Sequence, residues 1–158
     1  MMIQKTAIFH LFLLSNFAIL DLATANSNSN SNIKLTVVVD GIRNHKGQIC
    51  LRVYNNEQGF PFTDTSEVQS GCVQIQGNSI KKDFYGLKAG TYAVAVVDDQ
   101  NEDYKLNRNF LGIPQEGFGV SNNPTISIKT GVPKFQDASF SLKKNKTINI
   151  AIKYSLDP

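Results

Sequence analysis

The chain is 158 residues long, with 16 basic and 13 acidic side chains, a formal charge of +3, two cysteines and no tryptophan. The positive excess is small and its lysines are scattered along the sequence, which argues against nucleic acid as a partner. Only two histidines are present, too few for a histidine-based transition-metal centre.

The first segment reads as an export signal. Lys5 precedes the mostly apolar stretch Ala7–Leu20, and Ala23-Thr24-Ala25 has the small-x-small pattern of a cleavage site. The apolar run is short and interrupted by His10, Ser15 and Asn16, so it is poorly suited to spanning a bilayer. The alternative is an anchor that stays uncleaved. Residues 1–25 are therefore expected to be removed, with no transmembrane segment after cleavage and a destination in the periplasm or outside the cell. Asn26–Asn32, NSNSNSN, is too polar to bury anything and is expected to be a flexible leader. Residues 33–155 have the length of one domain with one core.

From Ile33 onward a period of two dominates. IKLTVVVDG alternates Leu35, Val37 and Val39, RNHKG reads as a turn, and GQICLRVYNN returns, which predicts a hairpin. SGCVQIQGN and residues 79–84 are further short strands. In FYGLKAGTY, Phe84 and Leu87 bracket a turn and Gly90 permits a reversal into the strand Thr91–Val97. That strand is apolar on both faces, with Ala93 and Ala95 on the second one, so something must cover the alanines closely. The loop Asp98–Pro124 follows, and its Leu106, Phe110, Leu111, Ile113, Phe118 and Val120 are expected to fold back as that cover. A short strand TISIK and a hairpin in ASFSLKKNKTINIAIKY, turning at Lys143–Lys146, complete the chain. Seven or eight short strands without a convincing helix predict an all-β fold, a single antiparallel β-sandwich with one long ordered loop. A closed barrel is the alternative.

Cys50 and Cys72 both fall on the more polar side of a strand. In an exported chain an even count favours a disulfide, with two free thiols or a redox pair as alternatives.

The start of the long loop carries Asp99-x-Asn101-x-Asp103, with Asn107 further on, the alternating spacing of a calcium loop. Tyr104 stands where such a loop has its glycine, and Phe110 where it has its bidentate glutamate. The other reading is an acidic turn whose side chains accept hydrogen bonds from their own backbone. Asp98, Asp99, Glu102, Asp103 and Glu116 are the carboxylates available to a glycosidase. No nucleophile, base and orienting group can be named together, and His45, in a turn, has no signature serine nearby. Catalytic residues are accordingly expected to be none.

Later in the loop, Gly112, Gly117 and Gly119 permit special backbone shapes, Pro114 fixes one torsion, and Glu116 and Phe118 lie between them. Ser121 and Asn122 sit in a run, Ser121-Asn122-Asn123, expected to close the loop by local hydrogen bonds. Such a loop is either a recognition surface on a rigid sandwich or a structural cover for one open sheet.

Three stretches together, GQICLRVYNNEQGFP, F-x-x-L-x-x-G-TYAVAV-x-D-x-N and LNRNFLGIPQEGFGVSNNP, resemble a bacterial family of exported domains, domain of unknown function 2141 (DUF2141). The likeness covers nearly all of residues 35–154, and Gly112–Asn123 is its most specific part. The resemblance implies a transthyretin-like or immunoglobulin-like sandwich in the cell envelope and implies no activity. It also implies a D-x-N-x-[ND]-G-x-L-[DN] loop after the fifth strand. Asp99, Asn101, Asp103, Leu106 and Asn107 match that pattern, and Tyr104 departs from its glycine. The expected function is a non-catalytic binding or structural module of the envelope without a cofactor, its partner an envelope protein or a glycan. The alternatives are a calcium-stabilised adhesion or carbohydrate-binding module, and a glycoside hydrolase. Sugar platforms would have to come from tyrosines such as Tyr54, Tyr85 and Tyr104.

Overall fold

Alternation in β1 (Ile33–Asp40) buries Leu35, Val37 and Val39, and alternation in β2 (Gln48–Tyr54) buries Ile49, Leu51 and Val53. The two apolar faces meet across the core instead of lying side by side, so the two strands belong to different sheets and form no hairpin. The computed structural model describes residues 32–43, 45–127 and 129–156; the expected signal and nearly all of the expected leader lie outside them. The leader's last residue, Asn32, accepts a hydrogen bond at its side-chain oxygen from the Gly86 amide at 2.8 Å.

Six further strands complete the fold: β3 (Glu67–Gln74), β4 (Ser79–Leu87), β5 (Gly90–Asp99), β6 (Phe118–Val120), β7 (Phe140–Leu142) and β8 (Lys146–Ala151). One sheet has the order β4-β1-β8, and the other runs β3-β2-β5-β6, with β7 pairing the start of β5. The expected count of strands and the sandwich are therefore present, with one shared core between the sheets. Each fully buried Val, Leu or Ile in that core contributes about 1.5–3 kcal/mol.

Three expectations about pairing are corrected. The chain crosses between sheets from β1 to β2, from β3 to β4, from β4 to β5 and again from β7 to β8, so the final pair is no hairpin either. The sandwich is not wholly antiparallel, since β8 lies parallel to β1 from Leu35↔Lys146 to Asp40↔Ala151. Among the described residues, the segment read as the strand TISIK contributes none of the eight strands, and a short helix, α1 (Phe135–Ala138), appears where none was expected. Local alternation fixes which side chains point inward. It cannot say which neighbour takes the backbone hydrogen bonds.

Ala93 and Ala95 are buried, as the two-sided apolar pattern of β5 requires. Their cover comes mainly from elsewhere than expected. Tyr54, Val120 and Ala138 pack with them, and Phe60 and Phe135 close over the cluster, with Phe60 edge-on to Tyr54 at 5.2 Å and to Phe135 at 5.8 Å. Of the six apolar residues expected to cover them, Val120 packs in this cluster and Leu106 lines a small cavity beside Ala95 and Val97. Phe110 and Leu111 instead face water, 95% and 68% exposed.

One edge of the sandwich is partly closed. Beyond the end of β8, Lys153 exchanges backbone hydrogen bonds of 3.0 and 2.9 Å with Phe118 of β6, so the two sheets touch along their backbones there. Gly117 and Gly119 make this approach possible. A Cβ on Gly117 would lie 2.6 Å from Ile152 and Tyr154, and one on Gly119 would lie 2.7 Å from the Ala151 carbonyl oxygen. Neither glycine has a positive φ, so close approach is their reason for being glycine, while Gly112 does adopt φ +78°.

Candidate functional site: the loop between β5 and β6

The loop begins in a bend organised by two carboxylates, the buried Asp99 and the half-buried Asp103. Asp99 accepts from the amides of Asp103 and Tyr104 at 3.0 and 2.9 Å, and from the Gln48 side chain at 3.1 Å. Asp103 accepts from the Lys105 amide at 2.9 Å and from the side-chain nitrogens of Asn101 and Asn107, each at 3.1 Å. These bonds, that from Asn107 foremost, hold the Asp103 carboxyl below its usual range. The structure thus brings Asp99, Asn101, Asp103 and Asn107 together. It does so with both amides donating nitrogen to Asp103, a bend closed on itself, where calcium would need six to eight oxygens turned to one centre. Among the described residues no group of three or more His, Cys, Asp or Glu is placed to hold a metal. The residues as arranged fit the self-bonded acidic turn better than a calcium loop.

Glu116 is buried and bridges both arms of the loop. One oxygen accepts from the Gln100 amide at 3.0 Å and the other from the Asn107 amide at 2.9 Å. Burial raises its carboxyl above the usual glutamate value, against the pull of those two amides. Between the arms the chain makes a narrow excursion in which Arg108 and Pro114 form a β-bridge. The Asn109 side chain accepts from the amides of Leu111 and Ile113 at 2.9 and 3.0 Å, and Gly112 turns the tip at φ +78°. Phe110 and Leu111 are thereby held out at the tip of a hydrogen-bonded bracket.

Beneath that tip lies an apolar groove of about 150 Å³, lined by Leu111, Ile113 and Pro114 on one side and by Phe62, Ile126 and Val132 on the other. Arg108 is the one charged residue in its lining. Its guanidinium sits 4.6 Å from the centre of the Phe62 ring and donates to the Gly112 carbonyl at 3.2 Å. Phe118 is buried at the groove's base, 5.8 Å from the Phe62 ring.

The other half of the predicted loop is structural. Ser121 is fully buried; its hydroxyl accepts from the Val94 amide at 2.9 Å and donates to the Ala138 carbonyl at 2.6 Å. Asn122 donates to the carbonyls of Asp137 and Ser139, and Asn123 pairs with Asn149 and Ala151 of β8. These side-chain contacts are long-range, and they staple β5, α1 and β8 together; the expected local closure is made by the Asn123 amide, which donates to the Val120 carbonyl at 3.2 Å.

Cys50 and Cys72 are bonded, and they face each other directly across β2 and β3. The carboxylates considered for hydrolysis are scattered by role. Asp98 is buried and accepts from the Tyr154 hydroxyl, and Asp99 and Glu116 are engaged as above. None of the five lines the groove. Of the three tyrosines named as sugar platforms, Tyr54 is fully buried with its hydroxyl between the Pro61 and Thr63 carbonyls, and burial pushes its pKa up to about 12. Tyr85 and Tyr104 are exposed. Sequence reasoning found one wall of the groove and missed the other. Phe62, Ile126 and Val132 belong to segments distant in the chain, and no local periodicity marks them.

A family model described as an uncharacterized protein conserved in bacteria, DUF2141, matches residues 37–150. No curated protein and no solved structure matches the chain.

Proposed function

We propose, for a chain that belongs to the DUF2141 family, the role of an exported, non-catalytic binding module of the bacterial envelope. Its recognition surface is the tip and groove of the loop between β5 and β6. Export is supported by the signal-like residues 1–25 and by the Cys50–Cys72 bond, since disulfides persist in oxidising compartments. No helix among the described residues is long and apolar enough to cross a membrane. A non-catalytic role is supported by the buried carboxylates, whose oxygens accept from backbone amides and a tyrosine hydroxyl.

One observation carries the reading. Two large apolar side chains, Phe110 and Leu111, are held in water by a bracket of hydrogen bonds beside an apolar groove. Exposed apolar surface held in this way is costly in solution and favours a partner that covers it. The lone Arg108 sets the polarity of that partner, which is a segment of another envelope protein with an apolar side chain for the groove and a carboxylate beside it.

A photo-crosslinking residue at position 110, in the protein expressed in its own cells, tests this. The expected result is one discrete adduct, lost when Val132→Asp puts a charge in the groove and not formed from position 88. No adduct at 110, or one indifferent to Val132→Asp, overturns the assignment.

A further inference from the structure

A second concavity lies on the outer face of β2 and β3. It is an open trough of about 560 Å³ whose floor includes the Cys50–Cys72 disulfide and Ser70. Asp64, from the segment leading into β3, and Glu67, the first residue of β3, flank it, and Tyr104 does so from the loop after β5. Arg52 ties the sides together, donating to Glu67 at 3.0 Å and to the Tyr104 carbonyl at 3.1 Å.

Tyr104 has an unusual position. Its amide is held by Asp99 and its carbonyl by Arg52, and between these two anchors its backbone has φ +63°. That conformation costs any residue with a Cβ and suits glycine. The fold nevertheless holds a large ring there, 61% exposed, at the trough.

We propose that this trough binds a neutral saccharide, with the Tyr104 ring as the stacking platform. Three features choose that class. The trough lies on the face of the sheet, where β2 is hydrogen-bonded on both sides and only the outer side of the edge strand β3 is open, so recognition over the floor falls to side chains. Those side chains mix acceptors (Asp64, Glu67), a donor (Arg52) and a hydroxyl (Ser70), the set that a polyhydroxyl ligand can satisfy in both directions. The Arg52–Glu67 ion pair leaves Asp64 as the remaining charge in the lining, which favours a neutral ligand over an anionic one. The trough is distinct from the apolar groove, with which it shares no residue.

The test is a titration of the isotope-labelled protein with N-acetylglucosamine, glucose (α-linked) and glucose (β-linked) tetrasaccharides, followed through its backbone amides. L-arginine serves as the cationic probe. At least one saccharide at millimolar concentration is expected to shift the amides of Ser70, Gly71 and Tyr104 saturably. Tyr104→Gly is expected to weaken that binding about tenfold or more, the scale of one lost aromatic contact, while the melting temperature stays level or rises because the φ +63° backbone is relieved. Absence of any saccharide-induced shift at these amides overturns the proposal. So does a Tyr104→Gly variant that binds as before, or a trough that takes arginine in preference to sugar. None of these results bears on the Phe110 adduct, so the two assignments stand or fall separately.

Discussion

Glu116 shows how much of the loop rests on single side chains. It is a buried carboxylate whose two oxygens receive amides from opposite arms, Gln100 and Asn107, and burial raises its pKa. The folded state therefore holds this proton more tightly than the unfolded state does. Stability from this group is fully present below the ordinary glutamate value of about 4.3 and is lost as the pH rises through the elevated value. Glu116→Gln lacks this titration. Denaturant melts at a series of pH values should show the wild type losing stability relative to Glu116→Gln as the pH climbs from about 4 towards neutrality. A difference that is flat or opposite in sign would mean that the two amides outweigh desolvation. Ser121, Asn122 and Asn123 act in the same way at other points, each side chain bonded to backbone from a distant element. Their residue types announce hydrogen bonding, but nothing in SNN names Ala138, Ser139 or Ala151 as the partners.

Among the elements, the short β6 connects most. It pairs with β5 in one sheet from Ala95↔Val120 to Val97↔Phe118, and through Phe118 it bonds to Lys153 beyond the other sheet's β8. That double role needs an approach closer than side chains allow, and Gly119 supplies it, its missing Cβ lying 2.7 Å from the Ala151 carbonyl oxygen. Gly119→Ala should cost about 2–3 kcal/mol, the range of an overpacked site whose neighbour is backbone and cannot rotate away. Equilibrium unfolding will read it. Hydrogen exchange should place the loosening at the amides of Phe118 and Lys153, which make the bridge. A cost near zero would show that β6 can slide outward without loss. The glycines were legible in the sequence as special positions. Their reason was not, because a close approach between strands far apart in the chain leaves no local trace.

At the scale of the molecule, two sheets share one core and loops from distant parts of the chain cover the outer face of one sheet. The Cys50–Cys72 bond crosses neighbouring strands and closes a chain separation of 22 residues. It restricts the unfolded chain, and removing it in a Cys50→Ala, Cys72→Ala variant should cost about 3 kcal/mol, read as a lower midpoint in chemical denaturation. The same variant should keep its fold, since the hydrophobic core lies on the other face of β2. Unchanged stability would remove the bond from the account of what holds the domain together. Both concavities depend on this scale as well. The groove joins Arg108 and Leu111 to Phe62 and Val132, and the trough joins Tyr104 to Asp64 and Ser70.

The one-dimensional pattern settled what depends on near neighbours. Alternation set the inward side chains of β1, β2 and β5, the all-β class followed from it, and the apolar second face of β5 required a cover for Ala93 and Ala95. The spacing of acids and amides after β5 identified a bend, and the cysteines identified a bridge. Which strands pair, that β8 runs parallel to β1, that Phe60 and Phe135 rather than Phe110 close over the alanines, and where the two concavities form were decided only in three dimensions. The physical reason is common to all of these. An inward-facing residue is fixed by the chain's own period, whereas its partner is chosen by the competition of every apolar surface in the molecule for the same dry volume.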